Sequence, residues 1–409
     1  MPRRTFAPVW LRGLTNAVFG MYGGIIVISV PQLLSARHVP ETTIAAMTAV
    51  MISPSFWTFL VSPVLDVRFS RRCYSLVTAG AAALLLLLAL LNLDRPIAVE
   101  ALLVAGFFFA TLYQSALGGW LSTITAPEDK NALSVWVTIG NIGGGGVMAA
   151  VTGVMVQNLS PMRSALLLGV AVLLPTAVFP WMQAPGPDRR LARESFPQFF
   201  AEVTALLKRR EVLIAITLFV SPAASFALTN FLSGLSNDFH ATIAFVGMVG
   251  GGGVLLGGIC GCFSFRLFDR LLPLRFLYLA IGVAGSVFTL TLILLPYTPA
   301  TFALALIGEN VLQALAFTAS TAIAFQTIGR GNPLAAATFC LMSSASNIPL
   351  TYMLLVDGAA YTRHGVTGSY AADAGVSLFA GLTLGALLIR QKRRGSPNPH
   401  RIAAAEMDA

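Results

Sequence analysis

The chain has 409 residues, of which 56% are hydrophobic and only 11% are charged. Soluble globular domains typically carry about 25% charged residues, so this composition and a mean hydropathy of +0.78 exclude an ordinary soluble enzyme or binding domain. The formal net charge of +9 comes from 26 lysines and arginines against 17 acidic residues. What this charge indicates about partners depends on the positions of the basic residues in the sequence.

A helix needs about 20 apolar residues to cross a bilayer. The sequence predicts an all-α membrane protein with twelve transmembrane helices. The loops between them leave no room for a soluble catalytic domain, so we do not expect an enzyme. The predicted spans, numbered one to twelve, are residues 10–34, 42–64, 73–93, 98–124, 132–158, 162–183, 212–236, 242–265, 275–296, 299–327, 334–357 and 368–390.

Lysine and arginine are distributed unevenly across this predicted topology. With the N terminus in the cytoplasm, 22 of the 26 basic residues lie in cytoplasmic segments or at the inner end of span one. The external loops hold only Arg37, Arg95, Arg163 and Arg363. This asymmetry predicts that the N and C termini are both cytoplasmic. It also explains the positive net charge by topology and by affinity for anionic membrane lipid, so no nucleic-acid partner is expected.

Cysteine and glycine patterns give no sign of a cofactor. The four cysteines lie in or beside spans and are mostly well separated, which favours small core residues over disulfides or a metal site. The glycine runs GNIGGGG (140–146) and GMVGGGG (247–253) lack the strand and polar phosphate site of a nucleotide-binding loop. Because small residues let membrane helices approach closely, the runs predict a contact between spans five and eight, either mobile or simply close-packed.

The spans divide into two sets of six. We predict an N-terminal six-helix bundle at 1–183, a cytoplasmic linker at 184–211, a C-terminal six-helix bundle at 212–390 and a cytoplasmic tail at 391–409. Apolar residues at helical spacing after Pro197 predict an amphipathic linker helix on the inner membrane face, or a helix that only tethers the bundles.

A repeat relates the loops that follow spans two and eight. The first reads SPVLDVRFSRRCY and the second FRLFDRLLPLRFL, so that Asp66 and Arg72 recur half a chain later at Asp269 and Arg275. An acidic residue at a helix end followed by arginines resembles the signature loop of the major facilitator superfamily. The resemblance implies a cytoplasmic gate, formed by these four residues and Arg71, whose ion pairs separate when the inner side opens. Simple anchoring by arginines is the alternative.

Glu309 lies near the middle of span ten, in the apolar stretch LALIGENVLQAL. Hydrocarbon favours the neutral acid, and an ionised carboxylate there costs about 2.5 kcal/mol or more. A carboxyl that is protonated from one side and deprotonated from the other would couple transport to protons. Asp373, about one turn inside the outer end of span twelve, is the second candidate, whereas Asp357 falls near a span end. The alternative is a permanently protonated Glu309 held by Gln313 or Asn310.

The segment that begins at Glu309 carries a closer resemblance. It reads ENVLQALAFTASTAIAFQTIGRGNPLAAATFCLMSSASNIP and resembles the AmpG-like permeases, the peptidoglycan-fragment and acetyl-CoA transporter branch of the same superfamily. The most specific match is the Glu-Asn pair, and GLTNAVFGMYGGIIVISVPQLL in span one and WTFLVSPVLD in span two agree with it. The resemblance implies the major facilitator fold, with two pseudo-symmetric bundles that transport by alternating access.

Span four departs from that family. Its members carry aspartates and a lysine around a tryptophan, whereas this chain has Gln114, Gly118, Leu121 and Thr123 around Trp120. The loss of charged groups weakens the case for an ionised muropeptide. Siderophore permeases of the same broad group are therefore the alternative family for this chain.

Polar residues at helical spacing in several spans predict a central polar path, because polar stripes in membrane helices face protein or water. Packing between helices is the alternative role for any one of them, and Arg12 could simply anchor the inner end of span one. The predicted cavity residues are Arg12, Asn16, Tyr22, Gln114, Trp120, Asn141, Ser225, Asn230, Asn310, Gln313 and Asn347.

These features predict a secondary active transporter in a bacterial inner membrane, monomeric and without a cofactor. The favoured mechanism is proton symport of a medium-sized polar solute, muropeptide-like or siderophore-like. A drug or metabolite exporter that works by proton antiport is the alternative within the same fold. A non-transporting membrane assembly protein is a further alternative.

Overall fold

The computed structural model describes residues 6–35, 37–184, 201, 204–206, 208–329 and 332–395. Within these residues the regular secondary structure is entirely helical. The predicted linker helix after Pro197 and the tail beyond residue 395 lie mostly or wholly outside the described residues.

The α-helices are numbered here in chain order. They are α1 (Val9–Leu14), α2 (Ala17–Gly24), α3 (Val30–Ser35), α4 (Glu41–Ile52), α5 (Pro54–Trp57), α6 (Arg71–Leu91), α7 (Pro96–Ile124), α8 (Lys130–Asn158), α9 (Pro161–Leu173), α10 (Arg210–Val220), α11 (Leu228–Leu232), α12 (Ile243–Met248), α13 (Val254–Phe268), α14 (Leu274–Leu292), α15 (Pro299–Ile328) and α16 (Ala335–Gly395). Short 3₁₀ turns and two π turns, Ile25–Ser29 and Val249–Gly253, connect some of them.

Nine helical segments in the described part of the chain are long and apolar enough to cross a membrane. This count is lower than the twelve predicted spans for physical reasons. Pro54 and Pro63 divide predicted span two into short pieces, and Pro222 divides span seven, because proline cannot donate the helix hydrogen bond. Predicted spans eleven and twelve run together in α16, which is interrupted at Gly365 with φ 62° and ψ −153°.

The outer surface of the bundle is apolar. Ile97 and Leu294 are each 84% exposed, and Leu355 and Phe379 are also largely exposed. Exposed large apolar side chains in such number are typical of a surface that contacts lipid. The chain is therefore a multi-pass membrane protein.

Short connections between successive long helices make neighbours antiparallel, so the bundle has two ends. We call the end that contains Asp66, Lys130 and Asp269 the linker end, because Gln183 and Arg209, near the two ends of the predicted linker, lie there beside Trp120 and Pro333. The opposite end, which contains Asp94 and Gly365, is called the far end. Residues 6–184 are called the first half and residues 208–395 the second half.

The halves meet along two lines of helix contact. On one line α8 packs against α13 and α15, and on the other α7 and the turn Ser62–Asp66 pack against α16. The predicted approach of spans five and eight is present. A Cβ atom added to Gly146 would lie 3.0 Å from Leu255, and one added to Gly258 would lie 3.1 Å from Ile142. The second glycine run itself does not make this contact, because Gly250–Gly252 face open space.

Candidate functional site

A cavity of about 160 Å³ lies between the two halves. Four of the predicted cavity residues line it: Asn16, Gln114, Asn141 and Asn347. Asn16 sits at the break between α1 and α2, and its Nδ2 donates a hydrogen bond of 3.1 Å to the carbonyl of Val137 in α8. The break therefore turns an amide from the first span towards the centre of the protein.

The rest of the lining combines hydroxyl groups with phenyl rings. The hydroxyls come from Thr138 in α8, from Ser320 and Thr321 in α15, and from Ser343 and Ser346 in α16. Phenylalanines from both halves complete the wall. Within the described residues this lining contains no ionisable side chain. Its chemistry suits a solute that is bound by hydrogen bonds and apolar contact rather than by ion pairs.

Glu309 lies inside the second half, away from the central cavity. Its side chain is buried, with 1% of the residue exposed. Thr289 of α14 donates a hydrogen bond from Oγ1 to Glu309 Oε1. Sequence reasoning did not single out Thr289, because a lone threonine in an apolar helix carries no distinguishing pattern.

The amide neighbours of Glu309 have other partners. Gln313 Nε2 donates to Thr229 Oγ1 at 2.8 Å and to the carbonyl of Phe226 at 3.3 Å. Asn310 Nδ2 donates to the carbonyl of Leu306 at 2.7 Å. Neither amide donates a hydrogen bond to the Glu309 carboxyl. The structure therefore differs from the alternative in which Gln313 or Asn310 holds a permanently protonated Glu309.

Two further carboxyls lie near Glu309. Asp373 is 5% exposed and lines a small cavity of about 10 Å³ that Glu309 and Ser225 also line. Asp357 is fully buried and close enough to Asp373 and Glu309 to interact with them electrostatically. The sequence predicted a span-end position for Asp357; in the structure the first arm of α16 continues beyond Asp357 towards Gly365, and Asp357 is buried.

Asp66 joins the halves at the linker end. It is fully buried and accepts a hydrogen bond of 2.8 Å from Arg71 Nε. Its two oxygens also accept the backbone N–H groups of Ala336 and Ala337, at 3.1 and 2.8 Å. A carboxylate at a helix N terminus satisfies free N–H groups and interacts favourably with the helix dipole. Asp66 of the first half thus caps α16 of the second half.

Arg71 completes this contact. Its guanidinium donates to the carbonyls of Asn332 and Pro333 at 3.3 and 3.0 Å. A single buried ion pair therefore makes four hydrogen bonds to the other half, two from its acid and two from its base. All of them must break before the halves can separate here.

The second repeat makes a weaker version of the same contact. Asn131, in the first turn of α8, donates from Nδ2 to Asp269 Oδ2 at 3.0 Å. Lys130 donates from Nζ to the carbonyl of Phe325 at 2.6 Å. Each acidic residue of the repeat therefore touches the beginning of a helix in the other half. Asp269 makes its contact through one side-chain hydrogen bond and is only partly buried.

The other predicted gate residues lie nearby without an ion pair. In the described part of the chain the ion pairs are Arg71–Asp66 and Arg37–Asp94. Arg72 and Arg275 are both partly exposed at the linker end, and Arg275 lines a surface pocket with Gln326.

The remaining predicted cavity residues lie elsewhere. Arg12 is partly buried at the linker end, near Asp129. Tyr22 packs inside the first half, with its ring centroid 6.3 Å from that of Phe107. Ser225 lines the Glu309 cavity instead of the central one, and Asn230 is exposed.

Trp120 is also placed away from the central cavity. Its indole Nε1 donates a hydrogen bond of 3.0 Å to the carbonyl of Gln183, and its ring meets Phe179 edge to face. Trp120 therefore connects α7 to the last residues of the first half, Phe179 and Gln183.

Comparison with known proteins shows where this fold belongs. The sequence matches the Major Facilitator Superfamily over residues 13–349. A search of curated protein sequences finds no significant match.

Several solved structures share the fold at low sequence identity. The human organic anion transporter MFSD10 is 15% identical with a TM-score of 0.68, over 94% of this chain and 100% of that one. The proton:xylose symporter XylE is 11% identical with a TM-score of 0.68, over 91% and 94%. A bacterial homologue of the iron transporter ferroportin, in an outward-facing state with soaked iron, is 16% identical with a TM-score of 0.62, over 93% and 98%.

These likenesses concern the fold, and the family match extends over most of the sequence. With its helical membrane architecture and the repeated contacts between its halves, the chain belongs to the major facilitator superfamily.

Proposed function

We propose that this protein is a secondary active transporter that carries a medium-sized polar solute by alternating access, driven by proton symport. The observation that carries the proposal is Glu309, a buried carboxyl ten residues after the start of α15, with Thr289 as its hydrogen-bond partner. An ionisable group is costly at this depth, which makes a functional role the default interpretation. Glu309 is the proposed carrier of the coupling proton, and Asp373, in the same small cavity, assists it.

The central cavity is the proposed solute site. Its volume of about 160 Å³ is below the roughly 300–1,000 Å³ of typical ligand pockets, so a medium-sized solute enters only after the halves move apart. Amides and hydroxyls from both halves would then hold it, as transport between two rocking bundles requires. This chemistry suits a polar solute that is bound without ion pairs. The Glu309–Asn310 resemblance to the AmpG-like branch supports a muropeptide-like solute, and the uncharged lining favours a siderophore-like solute as the alternative.

The linker end is the proposed cytoplasmic side, because the basic residues concentrate there. The contacts of Asp66 and Asp269 would then close the protein towards the cytoplasm in this conformation. A bacterial inner membrane and a monomer remain part of the proposal. The Asp66 contact is the proposed inner gate.

The proposal is tested with purified protein in liposomes that contain a pH-sensitive dye. Anhydro-muropeptides and ferric siderophores are added in turn, each without any other driving force. Three proteins are compared: the wild type, Glu309→Gln, and Asp94→Asn. Asp94 is an exposed carboxyl paired with Arg37, so its amide variant controls for the loss of a negative charge.

Symport predicts that one compound acidifies the lumen with the wild type and with Asp94→Asn but not with Glu309→Gln. Acidification that persists in Glu309→Gln would contradict the role of Glu309. Alkalinisation on addition of substrate would establish antiport and overturn symport. Silence with every compound would contradict the substrate class.

A further inference from the structure

The far end of the second half contains a hairpin that brings two aspartates together. Gly365 interrupts α16, and Asp357 and Asp373 lie eight residues before and after it. At 1.5 Å per residue, each is about 12 Å along its own arm from the turn. Ser369 Oγ donates a hydrogen bond of 3.0 Å to the carbonyl of Asp357, which fixes the register of the two arms.

The carboxyl groups of this hairpin have unused hydrogen-bonding capacity. Asp357 is fully buried, and neither of its carboxyl oxygens has a hydrogen-bond partner among the described residues. The same holds for Asp373 Oδ1 and for the hydroxyls of Tyr370 and Ser225. Buried polar atoms are normally paired, so an unpaired group of this size requires an explanation.

A small cavity lies beside two of these groups, Asp373 and Ser225, and offers space for a hydrogen-bond partner. Its volume of about 10 Å³ suffices for roughly one water molecule, and its wall includes Glu309, Asp373, Ser225, Ser286 and Ser377. Such a site is polar enough to hold a water that bridges the two carboxyls. Ser225, of which 3% is exposed, lines the cavity from the end of the turn Pro222–Ala224.

Three ionised carboxylates would repel one another strongly here. Asp373 and Glu309 both lie close enough to act electrostatically on Asp357. The ion pairs of the described residues, Arg71–Asp66 and Arg37–Asp94, lie elsewhere. Thr289, the serines and Tyr370 face the carboxyls from the packed elements, with Tyr297 next to Tyr370. Because neighbouring buried carboxylates without a countercharge repel strongly, such groups share protons.

We propose that Asp357, Asp373 and Glu309 form one proton-binding site that holds shared protons, with Asp357 as its third member. This inference rests on the proposed proton coupling at Glu309 and extends it to a relay. In a transfer step the O–H bond of Asp373 breaks, the bridging water passes a proton on, and an O–H bond forms on Glu309. Asp357 then gives its own proton to Asp373 and is left ionised, so that the three carboxyls hold two protons before and after the transfer.

Infrared difference spectroscopy tests the site without any substrate. The reconstituted wild-type protein is titrated, and the C=O stretching bands of protonated carboxyls are followed in H₂O and D₂O. The variants are Asp357→Asn, Asp373→Asn and Glu309→Gln, with Asp94→Asn as the control for an exposed carboxyl. Each titration is repeated with sodium and with choline as the only cation.

A shared site predicts that each of the three variants removes a carboxyl band. It also predicts that each moves the midpoint of the remaining bands by about one pH unit or more, as coupled groups do. Asp94→Asn removes only the band of its own exposed carboxyl and leaves the bands and midpoints of the three buried groups unchanged. Bands that titrate at unchanged midpoints, or an Asp357→Asn spectrum identical to that of the wild type, would overturn the inference. If the midpoints depend on sodium, the site binds sodium in place of protons, and this result would also overturn the inference.

Each of the three variants removes a different carboxyl and therefore tests the same coupling between Asp357, Asp373 and Glu309. If Asp357→Asn does not fold, the Asp357 band seen in Asp373→Asn and in Glu309→Gln still decides the question. Coupled bands together with a silent transport assay would contradict the proposed function and leave the three-carboxyl site in place. Proton-driven transport with independent bands would contradict the relay alone.

Discussion

Asp66, in the first half of the chain, accepts a hydrogen bond of 2.8 Å from the backbone N–H of Ala337, in the second half. The same carboxylate is paired with Arg71, and both side chains are buried. The contact therefore links an ion pair of one half to the first turn of a helix in the other. It combines a buried ion pair with four hydrogen bonds to the other half, so its loss is predicted to have a large effect on the closed linker end.

Asp66→Asn is predicted to open the linker end. The substitution leaves the buried Arg71 without its countercharge, and breaking a buried ion pair in this way costs about 3–5 kcal/mol. Cys340 is buried near Asp66 and serves as the reporter. In a Cys73→Ser, Cys260→Ser background, thiol labelling of Cys340 is expected to be at least tenfold faster in Asp66→Asn. Equal labelling rates in the two proteins would contradict the closing role of Asp66.

Asp269→Asn is predicted to have a smaller effect in the same assay. Asp269 accepts one side-chain hydrogen bond from Asn131 and is partly exposed. A partly exposed hydrogen bond contributes about 0.5–1.5 kcal/mol, so labelling of Cys340 should rise by less than in Asp66→Asn. An effect as large as that of Asp66→Asn would show that the two repeats contribute equally, contrary to their unequal burial.

Gly119→Ala is predicted to prevent full closure of the linker end. A Cβ atom at Gly119 would lie 2.5 Å from the backbone nitrogen of Ala336, a contact that real Cβ atoms do not make. Gly143→Ala is the matched control, because a Cβ atom there has nothing within 4 Å. Faster labelling of Cys340 is expected for Gly119→Ala and not for Gly143→Ala. The prediction fails if the two variants label alike.

Asn347→Leu is predicted to weaken binding of the transported solute. Leucine keeps the approximate size of the side chain and removes an amide from the cavity wall. Loss of hydrogen bonds to a buried ligand costs about 1–3 kcal/mol, or roughly 5- to 150-fold in affinity. The measurement is the ligand-induced rise in melting temperature, with the compound that drives proton entry. Asn230→Leu, at an exposed position, should bind like the wild type, and unchanged binding by Asn347→Leu would exclude its contact with the solute.

Much of the architecture follows from simple properties of the sequence. Apolar run length and composition predict an all-helical membrane protein, and the SPVLD loop indicates the superfamily that the family match establishes. The number of continuous helices is less predictable. Pro54, Pro63 and Pro222 interrupt helices inside apolar runs, while at Gly365 the chain reverses with helical residues directly on both sides.

The site is predictable only where one residue differs sharply from its surroundings. Glu309 and Asp66 are such residues. Glu309 is an acidic residue in an apolar stretch, and Asp66 is an acidic residue followed by arginines, so both can be recognised from the sequence alone. Thr289 and Asp357 are not, since their importance arises from the tertiary contacts of α14 and α16. Helical spacing likewise cannot distinguish Gln114, which reaches the cavity, from Trp120, which binds the carbonyl of Gln183.

The measurement that tests the central claim most directly compares two modes of transport by Glu309→Gln. Exchange of labelled for unlabelled solute across the liposome membrane needs no net proton release, whereas uptake driven by a pH gradient does. If Glu309 carries the coupling proton, Glu309→Gln retains exchange at close to the wild-type rate and loses gradient-driven accumulation. Accumulation at the wild-type level would contradict the claim, and loss of both modes would assign Glu309 to structure or solute binding instead of coupling.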